Sequence, residues 1–490
     1  MNNFNKKVAK ATKWSGITTL LSRLISPISS MVLARLLTPE AFGVVTTMAM
    51  IISFADLLTD AGFQKYLIQH EFKDDVDRNE STNVAFWSNF IMSLLLWGVI
   101  IVFADPLAAL VGNPGLGHVL IIACVAIPLA AFSSIQMALY RRDLNFKTLF
   151  KIRLVSLFIP LVVTVPLAFW LRSYWALVFG NIFRHTINAI LLTYFSPWKP
   201  RFFYSFAKLK EMLSFSLWSL AEAISIWMTM NFDIFIVGTM LNQHYLGLYK
   251  ISTTTVAQIV TIITASTTPV LFSSLSRLQN DDNSFQKLFF KFQKLIGMLV
   301  IPIGFGIFCF SDFITDIYLG SQWTEASGFI GLWGLMSALT IVLSHYCSEV
   351  FRAKGRPKLS VLCQWLHIIA LWPVIIIFVK YGFQTLYMAR SLVRIQGIIV
   401  GLSIMYFQIH FPVLKMITNV IPSILASILM MISAFILKSF NNSTAFNILY
   451  ILICTLIYLI SIQLFPTERK MFNKYIVGKI KTAFVKKPNP

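Results

Sequence analysis

Fourteen times between Trp14 and Phe465 the sequence runs apolar for roughly twenty residues, starting with 14–36 and 42–63 and ending with 445–465. A helix of about that length crosses the hydrocarbon core of a bilayer. Backbone inside lipid must satisfy its own hydrogen bonds, so runs of this kind confine the chain to packed helices. Composition closes off the water-soluble alternative. With 57 % hydrophobic and only 12 % charged residues, the chain has too little charge to cover a soluble surface. The expected fold is an all-α polytopic membrane protein with fourteen transmembrane helices.

Lysine and arginine set the orientation. If the N-terminus is cytoplasmic, thirty-two basic residues fall on the inside, including Lys6, Lys7, Lys10, Lys13, the Arg141–Arg153 cluster and seven in the tail. The outside receives Arg35, Arg172, Lys380 and Lys438. That bias is the positive-inside pattern, and it predicts both termini on the cytoplasmic side. The formal charge of +21 is thereby explained by topology, with anionic phospholipids as its partners and no nucleic acid required. The N-terminal stretch MNNFNKKVAKATKW looks like the start of a signal peptide. No cleavage motif follows it, so 14–36 reads as a retained span.

The chain also repeats itself. VLARLLTPEAFG at 32–43 is echoed by IVGTMLNQHYLG at 236–247, and Trp14-Ser15 by Trp218-Ser219, all at an offset of 204. A second echo, ALYRRDLNFK at 138–147 against EVFRAKGRPK at 349–358, has an offset of 211. Six spans separate each pair, so the two halves run in the same sense across the membrane, related by an axis along the membrane normal. The expected organisation is a six-helix bundle at 1–200, another at 201–410, two further helices at 411–465 and a basic cytoplasmic tail at 466–490. Gly43 and Gly247 permit tight turns or close helix contact. Prolines inside spans, among them Pro27, Pro128, Pro160, Pro166, Pro269, Pro302, Pro373 and Pro422, kink helices or merely shape their packing.

Ionisable groups at membrane depth mark functional positions or structural pairs. The first half supplies Arg23, Asp56, Asp60, Arg184 and His185; the second supplies Glu222, Asp233, Lys250, Glu349, Arg390 and Arg394. Asp56 and Asp60 share a helix face, where they share a proton, bind a cation or pair with Arg23. Arg390 and Arg394 likewise share a face. The eighth run carries a polar stripe through Thr254, Gln258, Thr261 and Thr268, which fits a wet lining or helix-to-helix hydrogen bonding.

Nothing in the sequence points to an enzyme. SHYCSE at 344–349 is not a zinc motif, His367 and His410 have no metal spacing, and no Walker A sequence occurs. The five cysteines read as small apolar side chains. No cofactor is expected, beyond coupling to protons or sodium.

The stretch WSGITTLLSRLISPISSMVLARLLTPEAFG at 14–43, followed by FADLLTDAGFQKYLIQ at 54–69, resembles the start of polysaccharide flippases of the WzxC-like branch. Fourteen spans in two six-helix halves resemble the larger multidrug/oligosaccharidyl-lipid/polysaccharide exporter superfamily. The resemblance implies a multi-pass protein of the bacterial cytoplasmic (inner) membrane. Its substrate would be a polyprenyl-pyrophosphate-linked oligosaccharide, moved by alternating access to the outer leaflet for lipopolysaccharide or exopolysaccharide biosynthesis. A glycan polymerase and export machinery would be its partners. It further implies a cationic cavity, for which Arg23, Arg390 and Arg394 are the substrate-binding candidates. Asp56, Asp60, Arg184, Glu222, Asp233, Lys250 and Glu349 are left for coupling or gating. Two alternatives stay open: a cation-coupled multidrug exporter and a lipid II flippase. A membrane glycan polymerase would favour a large external loop, and every external connection expected here is short.

Overall fold

A computed structural model describes residues 2–441 and 443–473. Its described residues are helical throughout, with no strand, and fourteen helices are long and apolar enough to cross a membrane. In order these spans are Lys13–Leu36, Pro39–Asp60, Asp75–Val102, Gly117–Arg142, Phe146–Leu171, Trp175–Phe195 and Ala223–Met240, then Gln243–Arg277, Asp282–Cys309, Ser321–Ala353, Lys358–Tyr381, Phe383–Ile409, Val413–Phe440 and Thr444–Ile462. The eighth is longer than its apolar run, because the helix continues through Ser273, Ser274 and Ser276 to Arg277. The chain divides into two compact units, Met1–Lys250 and Ile251–Pro490.

Local chemistry explains where helices begin and bend. Pro39 opens the second span, where its missing N–H costs nothing. That span stops at Ala61 and Gly62, both in the left-handed region (φ 40° and 82°). Asp74 caps the third span by accepting a hydrogen bond from the Asp77 N–H at 2.7 Å. The fourth span is interrupted after Ala123. Pro128 cannot donate to the Cys124 carbonyl, which instead accepts from the Ile127 N–H at 2.9 Å. In the fifth span, Pro160 and Pro166 bracket a single turn of π-helix at Pro160–Thr164, closed by the Val165 N–H on the Pro160 carbonyl. A second π turn, Ile341–His345, sits in the tenth span.

In the first unit the apolar core is built by Val44, Met48 and Ile52 of the second span against Leu120 and Ile127 of the fourth and Val178 of the sixth. In the second unit, Phe285, Phe289 and Val300 of the ninth span pack with Tyr346, Met405, Met416 and Tyr458. Large apolar side chains such as Leu95, Trp170, Ile369 and Leu429 point outward. In water such a surface would aggregate; in lipid it is the solvent-facing side. Four of the five cysteines are buried, and all five are free thiols.

Candidate functional site

The two turns that share the 204-residue offset meet within the first unit. A Cβ added to Gly43 would overlap the backbone of Gln243, and one added to Gly247 would overlap the backbone of Pro39. Positions 39 and 243 are themselves equivalent in the repeat, as are 43 and 247. The contact is therefore reciprocal, as a local two-fold axis demands. Beside it, Glu40 Oε1 lies 2.6 Å from His244 Nδ1, again at equivalent positions. Gly112 (φ 84°) packs on Gly238 in the same backbone-to-backbone fashion, and its carbonyl accepts from Gln243 Nε2 at 2.9 Å. Only glycine lets main chains approach this closely.

Deeper in the first unit, Asp56 and Asp60 face the same way on the second span and interact electrostatically. Asp56 lies near Cys124, and its Oδ1 is buried with no hydrogen-bond partner. Asp60 accepts from the Gln64 N–H at 3.4 Å. The basic group within electrostatic reach of Asp60 is Arg141, whose Nη1 also donates to Gln64 Oε1 at 3.4 Å. Pairing with Arg23 is one of the alternatives the sequence leaves open for these carboxylates, beside a shared proton and a bound cation. Arg23 Nη1 is instead buried without a hydrogen-bond partner. Arg184, midway along the sixth span, donates from Nη2 to Asn181 Oδ1 at 2.6 Å. His185 follows it, half-buried. Asp233 accepts from the buried Tyr249 hydroxyl at 2.6 Å. Lys250 is exposed on the eighth span. The Glu222 side chain lies outside the described residues.

At the end of the first unit where the short helix Phe63–Gln69 sits, the Tyr66 hydroxyl donates to Glu211 Oε1 at 3.0 Å. Lys208 Nζ lies 2.5 Å from Asp77 Oδ1 and 3.0 Å from Glu80 Oε2. Partial burial would lower the Lys208 pKa, but its bonds to the two carboxylates overcome this and hold it above the ordinary lysine value. Burial first, and then the bond to Glu211, push the Tyr66 phenol well above its ordinary value.

In the second unit the two predicted arginines converge on a residue that sequence reasoning had not singled out. The Arg390 and Arg394 guanidinium carbons lie 4.7 and 3.5 Å from the ring centroid of Trp333, which is only 6 % exposed. Arg394 Nη1 donates to Ser337 Oγ at 2.9 Å, and that hydroxyl donates to the Trp333 carbonyl at 2.6 Å. Trp333 and Ser337 are one helical turn apart on the tenth span, as Arg390 and Arg394 are on the twelfth. Two i,i+4 pairs thus face one another. Cation–π attraction of about 0.5–2 kcal/mol per contact offsets part of the cost of holding two like charges together. Nearby, His367 Nδ1 contacts Gln396 Oε1 at 3.2 Å. The Tyr318 hydroxyl donates to Gln258 Oε1 at 2.7 Å, and Thr268 contacts His345, so part of the polar stripe joins helices. Glu349 is buried and paired with Arg352 at 2.6 Å. Among the described residues, no group of three or more His, Cys, Asp or Glu side chains could hold a metal ion.

A family model described as "Polysaccharide biosynthesis protein" matches residues 32–328. The chain belongs to this family. It is 24 % identical to the succinoglycan biosynthesis transport protein ExoT of Rhizobium meliloti, over 74 % of this chain and 72 % of that one. It is 22 % identical to the lipopolysaccharide biosynthesis protein WzxC of Escherichia coli, over 73 % and 72 %. Its fold is similar to that of the lipid II flippase MurJ in an inward closed conformation, with a TM-score of 0.71, 15 % identity, and 93 % and 99 % of the two chains covered. Within this polysaccharide biosynthesis protein family member, Arg23, Asp56 and Asp60 lie inside the opening resemblance, whereas the arginine–tryptophan cluster lies outside it. Trp333, Arg390 and Arg394 all lie beyond residue 328, where the family match ends.

Proposed function

We propose that this protein is a flippase that carries a polyprenyl-pyrophosphate-linked oligosaccharide from the cytoplasmic to the outer leaflet by alternating access. The observation that carries the reading is the convergence of Arg390 and Arg394 on Trp333. Two guanidiniums held side by side match the paired phosphates of a pyrophosphate, because each fork can donate two charge-assisted hydrogen bonds. The indole face adds an apolar wall against which a sugar or isoprenoid carbon can lie. A small cationic drug would be repelled by the same site. Arg23 is the third anion-binding candidate, and the transport and polysaccharide roles named for the relatives agree with this substrate class.

The lipid tail stays in hydrocarbon while the glycan, too polar to cross it, follows a protein passage. The glycine-lined meeting of the Pro39 and Gln243 turns serves as the outer closure, which parts to release the headgroup. Asp56 and Asp60, together with Glu222 and Asp233, couple the cycle to protons or sodium. The protein resides in a bacterial inner membrane with both termini cytoplasmic.

The test is flipping of defined polyprenyl-linked glycans in proteoliposomes, with lipid II and a cationic dye as competing substrates. Arg390→Ala and Arg394→Ala each remove a charged hydrogen-bonding group worth about 1.5–3 kcal/mol, so flipping falls roughly ten- to hundredfold. Undiminished flipping in Arg23→Ala, Arg390→Ala and Arg394→Ala would reject the anion role. Preference for lipid II or for the dye would replace the substrate assignment. pH jumps and sodium gradients in the same vesicles identify the coupling ion.

A further inference from the structure

The second unit carries a half-open groove of about 380 Å³ between the ninth, thirteenth and fourteenth spans. Its floor is made by Met430, Cys454 and Tyr458, each at most 5 % exposed. Leu299 and Ile303 form a rim, and the exposed side chains of Leu452 and Leu456 flank it, so the opening faces hydrocarbon. Proline chemistry shapes the floor. Pro302 has no N–H to offer the Met298 carbonyl four residues back, and the Tyr458 hydroxyl donates to that carbonyl instead, at 2.8 Å. With its hydroxyl so engaged, Tyr458 adds ring surface to an apolar floor. Gly306 also lines the groove, and a Cβ built there would meet nothing within 4 Å.

Along the ninth span the lining runs from Met298 to Phe310, roughly 18 Å at the helical rise, close to the depth of one leaflet of a hydrocarbon core about 30 Å thick. Its Phe310 end lies where the ninth span stops, on the side opposite the N-terminus, which is the outer side in the orientation proposed above. There Lys438 Nζ donates to the Cys309 carbonyl at 3.0 Å and stands 5.8 Å from the Phe310 ring centroid. Asp312 Oδ2 is 3.9 Å from the same nitrogen, beyond hydrogen-bond reach. An ammonium has three donors and a carboxylate several acceptor sites, so both groups can serve further partners. A cation and an anion side by side at the end of a leaflet-deep apolar groove match a headgroup built of a phosphate and a primary ammonium. The phosphate takes Lys438 and the ammonium takes Asp312, each through a charge-assisted hydrogen bond. A choline headgroup lacks the N–H donors, and a glycerol headgroup lacks the cation. We infer that this groove binds an outer-leaflet phospholipid of the phosphatidylethanolamine class, with one acyl chain laid between the ninth and fourteenth spans. The chain supplies dispersion contacts that an empty groove forfeits. The site is separate from the Trp333 arginine pair, so it stands whether or not that pair binds a glycan carrier.

The experiment strips the full chain of lipid in detergent and returns phosphatidylethanolamine, phosphatidylcholine, phosphatidylglycerol or a polyprenyl phosphate, and native mass spectrometry counts what is retained. Phosphatidylethanolamine binds several-fold more tightly than the other three. Asp312→Asn brings it down to the level of phosphatidylcholine, and Lys438→Gln weakens it several-fold. Gly306→Leu grows into open space and removes the bound lipid, while Lys380→Gln, exposed outside the groove, changes nothing. Phosphatidylethanolamine with a photoactivatable acyl chain labels residues 298–310 and 451–459. If a charge variant does not fold, Gly306→Leu and the labelling decide. Equal retention of all four lipids, retention unchanged in Gly306→Leu, labelling elsewhere, or displacement of phosphatidylethanolamine by the polyprenyl phosphate overturns the proposal.

Discussion

Glu40 and His244 stand 204 residues apart in the sequence and 2.6 Å apart in the structure, carboxylate oxygen to imidazole nitrogen. They occupy equivalent positions in the two copies of the repeat, as do the glycines that flank them. A duplicated turn has therefore become its own packing partner, and the small side chain required at position 43 is required at 247 for the same reason.

This contact predicts that both glycines respond alike to added size. Gly43→Val or Gly247→Val forces the main chains apart and costs about 1–3 kcal/mol, as other overpacked sites do. Thermal melts in detergent measure the loss. The cysteine pair Glu40→Cys/His244→Cys should crosslink on oxidation and, if the turns are the outer closure, stop flipping until reduced. Crosslinked protein that still flips would remove the turns from the transport cycle.

The Trp333 cluster predicts that charge alone is insufficient. Arg394→Lys keeps the charge but loses the planar stack on the indole and the forked donor geometry. Flipping should fall several-fold while folding is retained. Trp333→Leu should resemble it, with a stability loss of about 0.5–2 kcal/mol from the missing cation–π contacts. Full activity in both variants would show that the stacking is incidental.

Lys294 and Glu468 form an ion pair at 2.7 Å, with the glutamate side chain 1 % exposed. Removing one partner strands a buried charge, so Lys294→Met should destabilise the protein by about 3–5 kcal/mol. The double variant Lys294→Met/Glu468→Leu should recover most of that loss. A double variant as unstable as the single one would contradict the pairing.

Alkaline pH should loosen the end of the first unit that carries Tyr66 and Lys208. The folded lysine holds its proton more tightly than the unfolded one, so its contribution is complete below about pH 10.4 and is lost as pH rises through the folded value. Tyr66 acts in the same direction, because the unfolded phenol ionises near pH 10 while the buried one resists. Melting temperature should hold steady from pH 7 to about 9.5 and then fall, less steeply in Lys208→Met and Tyr66→Phe. Equal slopes in all three proteins would exclude these two groups as the cause.

Much of the architecture was legible in the residues themselves. Span count follows from hydropathy because hydrocarbon penalises each polar backbone group locally, run by run. The shared faces of Asp56 with Asp60 and of Arg390 with Arg394 follow from helical period alone. Pairing is a different kind of fact. Arg141 counted as a loop charge in the sequence, yet it is the base near Asp60, while Arg23 is not. Trp333 carried no signal, since its meeting with Arg390 and Arg394 joins helices 57 and 61 residues apart. Sequence thus fixed which groups enter the membrane and on which helix face. Which of them meet was decided by tertiary packing, because electrostatic and cation–π partners are chosen by distance in space, and no local pattern encodes that distance.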